Sequence, residues 1–214
     1  MAGTVVGISG GIGSGKSRVS RFWAGHFSLP LIDLDAICRD LLRPGQEGWR
    51  ALQAAFGNRY FAANGSLDRA ALRRAIFADH GLRRQLDDLL HPLARRAMRR
   101  ALAAQAATAT VLVEIPLLLE AGWRNDVDRV VVVYAGPGVR CRRIMARDRV
   151  DRRQALQAIA SQMRLADKAL MADHVLDNSG AWADTCLQVI HLGRLLAGST
   201  GDAFPRSGAD VGFL

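Results

Sequence analysis

Gly10-Gly11-Ile12-Gly13-Ser14-Gly15-Lys16-Ser17 satisfies the pattern G-x-x-x-x-G-K-[ST] in full, and its surroundings give the match its weight. Residues 4–9 before it are short, apolar and β-branched. Lys16-Ser17-Arg18-Val19-Ser20-Arg21-Phe22-Trp23 after it has helical character. The expected local structure is therefore strand, loop, helix. Such a loop must turn backbone N–H groups inward around an anion. Glycine permits this by lacking a Cβ, and the following helix directs its positive end at the same point. Lys16 is expected to bridge the β- and γ-phosphates of a nucleoside triphosphate and to act in catalysis, while the Ser17 hydroxyl is expected to coordinate Mg2+. Gly13, Ser14, Gly15, Lys16, Ser17 and Arg18 form the expected nucleotide-binding set. The plain alternative, a glycine-rich turn with an incidental lysine, does not explain the matching context.

Working outward, further short apolar strands are expected at 29–32, 111–115, 129–134 and 174–176, separated by stretches with helical spacing. This alternation specifies an α/β fold in three layers, a parallel sheet flanked by helices. Residues 36–109 are rich in Ala, Leu and Arg, too long for a simple crossover, and broken by turn signals at Pro44-Gly45 and Asn64-Gly65; they read as a mostly helical insertion. Residues 139–171 are dense in arginine and patterned as helix, turn, helix, with 149–153 near the turn, and read as a mobile basic lid. The core is then 1–35, 110–138 and 172–198. The tail 199–214, rich in Gly, Ser, Asp and Pro without periodicity, is expected to be disordered.

With 214 residues, half of them hydrophobic, the chain can bury a sizeable core, and only 6% aromatic content argues against an all-β sandwich. A net charge of +9 suits nucleic acid, an anionic membrane or a polyphosphorylated small ligand equally. Cys38, Cys141 and Cys186 are scattered and odd in number, which reads as reduced thiols rather than a disulfide or zinc framework. No signal-like segment and no run of about 20 apolar residues occurs. A soluble cytoplasmic protein is expected, with a monomer favoured, no membrane association and no nucleic-acid partner.

Several further residues are candidates for chemistry. Leu31-Ile32-Asp33-Leu34-Asp35 places two carboxylates at a strand end, on one side if the chain stays extended there, and strand ends in such folds face the ligand crevice. Asp35 is the preferred acceptor of a hydroxyl proton and Asp33 a substrate-side residue. The competing use of either aspartate is to cap a helix starting near Ala36. Glu114, grouped with the substrate side, is expected either to hold the metal through water or to hydrogen-bond the phosphate loop. Glu120 reads as a solvated or cap-forming helix residue. Arg143 and Arg147 share one helical face, with Arg140 a turn earlier, and are expected to stabilise charge on the transferring phosphoryl group. His91-Pro92 is expected to open a helix, with His91 and Arg95 as substrate-side candidates.

Taken in order, Gly-Ile-Ser-Gly-Gly-Ile-Gly-Ser-Gly-Lys-Ser at 7–17, Ile-Asp-Leu-Asp at 32–35, Leu-His-Pro-Leu at 90–93, Glu-Ile-Pro-Leu-Leu-Leu-Glu at 114–120, Arg143 with Arg147-Asp148, and Ala-Asp-His-Val-Leu-Asp-Asn-Ser-Gly at 172–180 resemble the dephospho-CoA kinase family. The resemblance implies a P-loop kinase fold and phosphorylation of the ribose 3'-hydroxyl of dephospho-coenzyme A, with ATP and Mg2+ giving coenzyme A and ADP. It also implies a CoA-binding helical insertion, a lid, Asp35 as base and Asn178 near the adenine. The chain departs from the family pattern at Leu34, where a small residue is usual, at Arg18, where Thr or Ser is common, and at Asp167-Lys168, where Glu-Lys is usual. A kinase of nucleosides, nucleotides or small sugars is the competing enzyme reading. A nucleotide-regulated RNA-binding protein is the non-enzyme reading, against which stands the lack of stacking aromatics among the arginines.

Overall fold

The computed structural model describes residues 3–106 and 110–200. These residues form two compact units, one comprising those up to Ile32 together with those from Gln105 to Thr200, the other Asp33–Ala104.

In the first unit β1 (Val5–Gly10) leads through the glycine loop into α1 (Lys16–Phe27), and β2 (Leu31–Asp33) follows. Past the second unit come β3 (Val111–Glu114), β4 (Arg129–Tyr134), α6 (Pro137–Asp148), α7 (Arg152–Ala160), α8 (Leu165–Leu170), β5 (His174–Asp177) and α9 (Trp182–Thr200). The five strands form a parallel sheet in the order β2-β3-β1-β4-β5. β1 sits at its centre, with Val6 opposite Leu112 on one side and Ile8 opposite Val131 on the other. All of β3 and Val130 to Val133 of β4 are buried, as expected for strands covered on both faces. One face carries Val6, Ile8, Leu112, Val131, Val133 and Leu176, packed under Val19, Trp23 and Phe27 of α1 and Val189, Leu192 and Leu196 of α9. On the other face Leu118 and Val127 close over Gly7, and α8 packs on β4.

The second unit contains α2 (Leu34–Leu41), α3 (Glu47–Phe56), α4 (Arg69–Ala78) and α5 (His80–Ala103). Its core is Leu52, Tyr60, Leu72 and Leu86. The two expected turns occur at Gly45 and Gly65, both with positive φ.

Four local expectations are corrected. The chain is not extended through 33–35: Asp33 ends β2 and caps α2 by accepting from Ala36 N at 3.2 Å, so Asp35 lies in the first helical turn. Pro92 does not open a helix but sits inside α5, whose N-cap is Asp79, accepting from Gly81 N and Leu82 N. Proline has no N–H, so the Asp88 carbonyl loses its intrahelical donor there. The arginine-rich arm contains three helices rather than two, because 161–164 interrupt the pattern before α8. Residues 117–122 form turns rather than a helix. α9 runs to Thr200, so residues 199–200 are helical; the rest of the tail expected to be disordered lies outside the described residues. Among the described residues no helix is long and apolar enough to cross a membrane.

Candidate active site

The loop between β1 and α1 is shaped for an anion. Gly15 is the N-cap of α1 at φ 87° and contributes no capping side chain, so the Lys16 and Ser17 N–H groups meet no cap, while Arg18 N donates to Gly15 O at 3.0 Å. A Cβ on Gly15 would collide with Asn178 Nδ2, and one on Gly13, at φ +77°, would come within 2.9 Å of the Arg140 carbonyl oxygen. Glycine is thus demanded here by protein neighbours as well as by dihedral angle. The Ser14 hydroxyl is buried beneath the loop without a hydrogen-bond partner.

Lys16 and Ser17 converge on the end of β3. The Lys16 ammonium and the Ser17 hydroxyl both donate to Glu114 Oε1, and the Ser20 hydroxyl donates to Oε2. Both oxygens of Glu114 are thus engaged with the phosphate-loop helix. Burial alone would raise its pKa, but the Lys16 charge and the three hydrogen bonds outweigh it and hold the carboxyl below its ordinary value. A depressed folded-state pKa contributes stability above the unfolded value of about 4.3, and this is lost as pH falls through the folded value. Wild-type thermal stability is therefore expected to fall more steeply below about pH 4.3 than that of Glu114→Gln; parallel acid limbs in the two melting series would contradict it.

The arm grips the loop through its backbone. Arg140 Nε donates to Ile12 O at 2.9 Å, and Gln162 accepts from Ile12 N at 2.8 Å. Arg143 Nη1 donates to Ser14 O at 3.3 Å, and its Nη2 to Asn178 O at 2.9 Å. Ile12 also packs against the Cys141, Ile144 and Ala155 cluster between α6 and α7. Arg143 thus stands at the loop, whereas Arg147 forms a two-pronged pair with its neighbour Asp148 at 2.7 and 2.8 Å. Arg140 is buried, and its Nη2 has no partner. Asn178 also reaches the loop. Its Nδ2 donates to Ser14 O at 2.7 Å and its Oδ1 accepts from Thr185 at 3.1 Å, so the side-chain amide is committed to bracing the loop.

Lys168 is named in the sequence only beside the departure at Asp167, with no role assigned to it. It is wholly buried on α8, donates to Gly10 O at 3.2 Å and Pro116 O at 3.3 Å, and pairs with Glu120 Oε1 at 2.6 Å. Glu120 is accordingly not a helix cap, and its partly solvated carboxylate has a second use. It neutralises a lysine that ties the ends of β1 and β3 together at the base of the loop.

Arg18 lies in the first turn of α1, and Asp33, Asp35, His91 and Arg95 lie in the second unit. Asp33 caps α2 and pairs with Arg39 at 3.5 Å, and Asp35 is exposed in the first turn of α2. Burial, then the charges of Asp35 and Asp33, push the Cys38 thiol up to about 11, so both carboxylates act on the same turn. His91 lies 3.7 Å from Asp87 on α5, and Arg95 is one turn further along. α2 and α5 pack against each other.

A parallel sheet whose central strand opens into an uncapped, glycine-lined helix N-terminus bearing Lys16 and Ser17 defines a P-loop kinase. Comparisons with known proteins narrow the class. The dephospho-CoA kinase family profile matches residues 4–184. Dephospho-CoA kinase of Vibrio cholerae is 41% identical over 174 residues, covering 81% of this chain and 86% of its own. A crystal structure of TT1252 from Thermus thermophilus superposes with a TM-score of 0.78 at 32% identity, covering 92% of this chain and 98% of the other. Dephospho-CoA kinase from Campylobacter jejuni shares the fold with a TM-score of 0.60 at 21% identity, over 90% of this chain and 97% of its own. The chain belongs to the dephospho-CoA kinase family.

Proposed function

We propose that this chain transfers the γ-phosphoryl group of ATP to the ribose 3'-hydroxyl of dephospho-coenzyme A, releasing coenzyme A and ADP, the last step of CoA biosynthesis. The observation that carries the nucleotide half of this reading is the uncapped N-terminus of α1 with Lys16 and Ser17 at its mouth; family membership carries the acceptor half. The attacking oxygen forms its bond to the γ-phosphorus as the bond to the β–γ bridging oxygen breaks, and the hydroxyl proton passes to Asp35. Lys16, exchanging Glu114 for phosphate oxygens, offsets the charge that develops on the leaving group. Residues 36–109 serve as the acceptor-binding insertion, with Asp33, His91 and Arg95 on the substrate side, and 139–171 as a lid whose Arg143 and Arg147 act on the phosphates.

Among the described residues no three His, Cys, Asp or Glu side chains gather to hold a metal. Mg2+ is ordinarily held by one or two protein oxygens together with phosphates and water, and the Ser17 hydroxyl in the first turn of α1 is an oxygen of that kind. Ser17 Oγ would hold it, and the ion would supply charge neutralisation between the β- and γ-phosphates. We place the protein in the cytoplasm as a monomer acting on a small molecule, its positive charge serving polyphosphate ligands rather than nucleic acid.

The test is ADP release with Mg-ATP, comparing dephospho-CoA with adenosine, AMP and gluconate at equal concentration. Turnover confined to dephospho-CoA is expected; preference for another acceptor would overturn the substrate assignment while leaving the kinase class intact.

A further inference from the structure

Arg18 stands where the family commonly has Thr or Ser, and its surroundings give it a use. Its guanidinium lies 3.8 Å above the ring of Trp182, the first residue of α9. Trp182 is itself held edge-on by Phe22, one helical turn beyond Arg18, with ring centroids 5.6 Å apart. One face of the guanidinium is thus fixed on the indole, while the residue as a whole stays exposed and makes no ion pair with any carboxylate among the described residues. Guanidinium groups seated in this way still present a planar donor edge to phosphate and a second face for stacking.

Direction comes from the sheet order. Lys16 reaches toward β3 through Glu114, whereas Arg18, two residues or roughly 200° further round α1, reaches toward α9, which follows β5. β3 and β5 lie on opposite sides of β1. Arg18 therefore offers its charge in the first turn of α1, on the opposite side from the Lys16–Glu114 contact, where the part of a nucleotide beyond the phosphates held by Lys16 has room to meet it.

We propose that Arg18, held flat on Trp182, binds the α-phosphate and nucleoside end of the adenine nucleotide and sets affinity for ATP and ADP alike. The proposal rests on the nucleotide assignment of the loop, but not on the identity of the acceptor. An interaction with the part of the nucleotide that does not react is the same in ground and transition states, so it appears in binding and KM rather than in kcat.

The experiment is calorimetric titration of the full chain with Mg-ADP, for the wild type and for Arg18→Ala, Arg18→Lys and Trp182→Leu, with thermal melts confirming folding and steady-state kinetics alongside. Arg18→Ala is expected to weaken ADP binding about 10-fold, as loss of one charge-assisted contact does, and to raise KM for ATP by the same factor. Its kcat is expected to stay within about twofold. Arg18→Lys keeps the charge but not the planar stack, and Trp182→Leu frees the guanidinium; each should fall between the wild type and Arg18→Ala. Unchanged ADP affinity in a folded Arg18→Ala protein, or a loss falling on kcat instead, would overturn the proposal. If ADP binding depends on Arg18 while dephospho-CoA is not phosphorylated, the acceptor assignment fails and this inference stands. If dephospho-CoA is phosphorylated but ADP binding ignores Arg18, the reverse holds.

Discussion

Glu120→Ala is expected to destabilise the protein by about 3–5 kcal/mol, because it strands a buried ammonium without its counter-charge. Lys168 has no exposed surface, and the two backbone carbonyls it also meets supply dipoles but no net negative charge. Glu120 retains about a fifth of its side-chain surface, so the opposite deletion, Lys168→Met, leaves a carboxylate that water can reach and should cost less. The pair should also be coupled: the double variant is expected to be more stable than the sum of the single losses indicates. Urea unfolding of the four proteins measures all three quantities. A Glu120→Ala loss under about 1 kcal/mol, the size of an exposed pair, would show that the ion pair does not hold the base of the loop.

Asp35→Asn is expected to lower kcat by about 10²- to 10⁴-fold, the usual contribution of a positioned general base, while leaving ADP binding in place. Asparagine keeps the size of the side chain and can still hydrogen-bond the hydroxyl but cannot take its proton. Asp33 does not offer the same test, since one of its oxygens caps α2 and the other faces Arg39. Cys38 provides an internal control. Its thiol is raised to about 11 by burial first and by Asp35 next, so removing the Asp35 charge in a correctly folded variant should lower that value and speed alkylation of Cys38. Undiminished turnover in Asp35→Asn would remove Asp35 from the mechanism.

Sequence read well wherever the deciding interactions are local. The phosphate loop needs consecutive glycines and a helix start, β4 is a continuous β-branched run, and the expected span 129–134 coincides with Arg129–Tyr134. Local rules also failed locally: Pro92 suits a first turn, but Asp79 offered a stronger cap thirteen residues earlier, and the helix ran through the proline. Other features escaped because their partners are distant in the chain. Nothing around Glu120 or Lys168 indicates that 48 residues separate the halves of an ion pair. Asn178 entered through the family resemblance alone, and its bond to Ser14, which spans 164 positions, has no local signal. Arg18 was visible as a departure, but its stacking partner was not.

The arm's hold on Ile12, Gly13 and Ser14 carries a thermodynamic obligation. Arg140, Arg143 and Gln162 grip the same short stretch of backbone that must close around phosphate. Whatever free energy the arm contributes to the loop's shape, an anion in the loop must return to the arm, since linkage between two equilibria is reciprocal. Occupancy of the loop and docking of the arm are therefore two readings of one equilibrium.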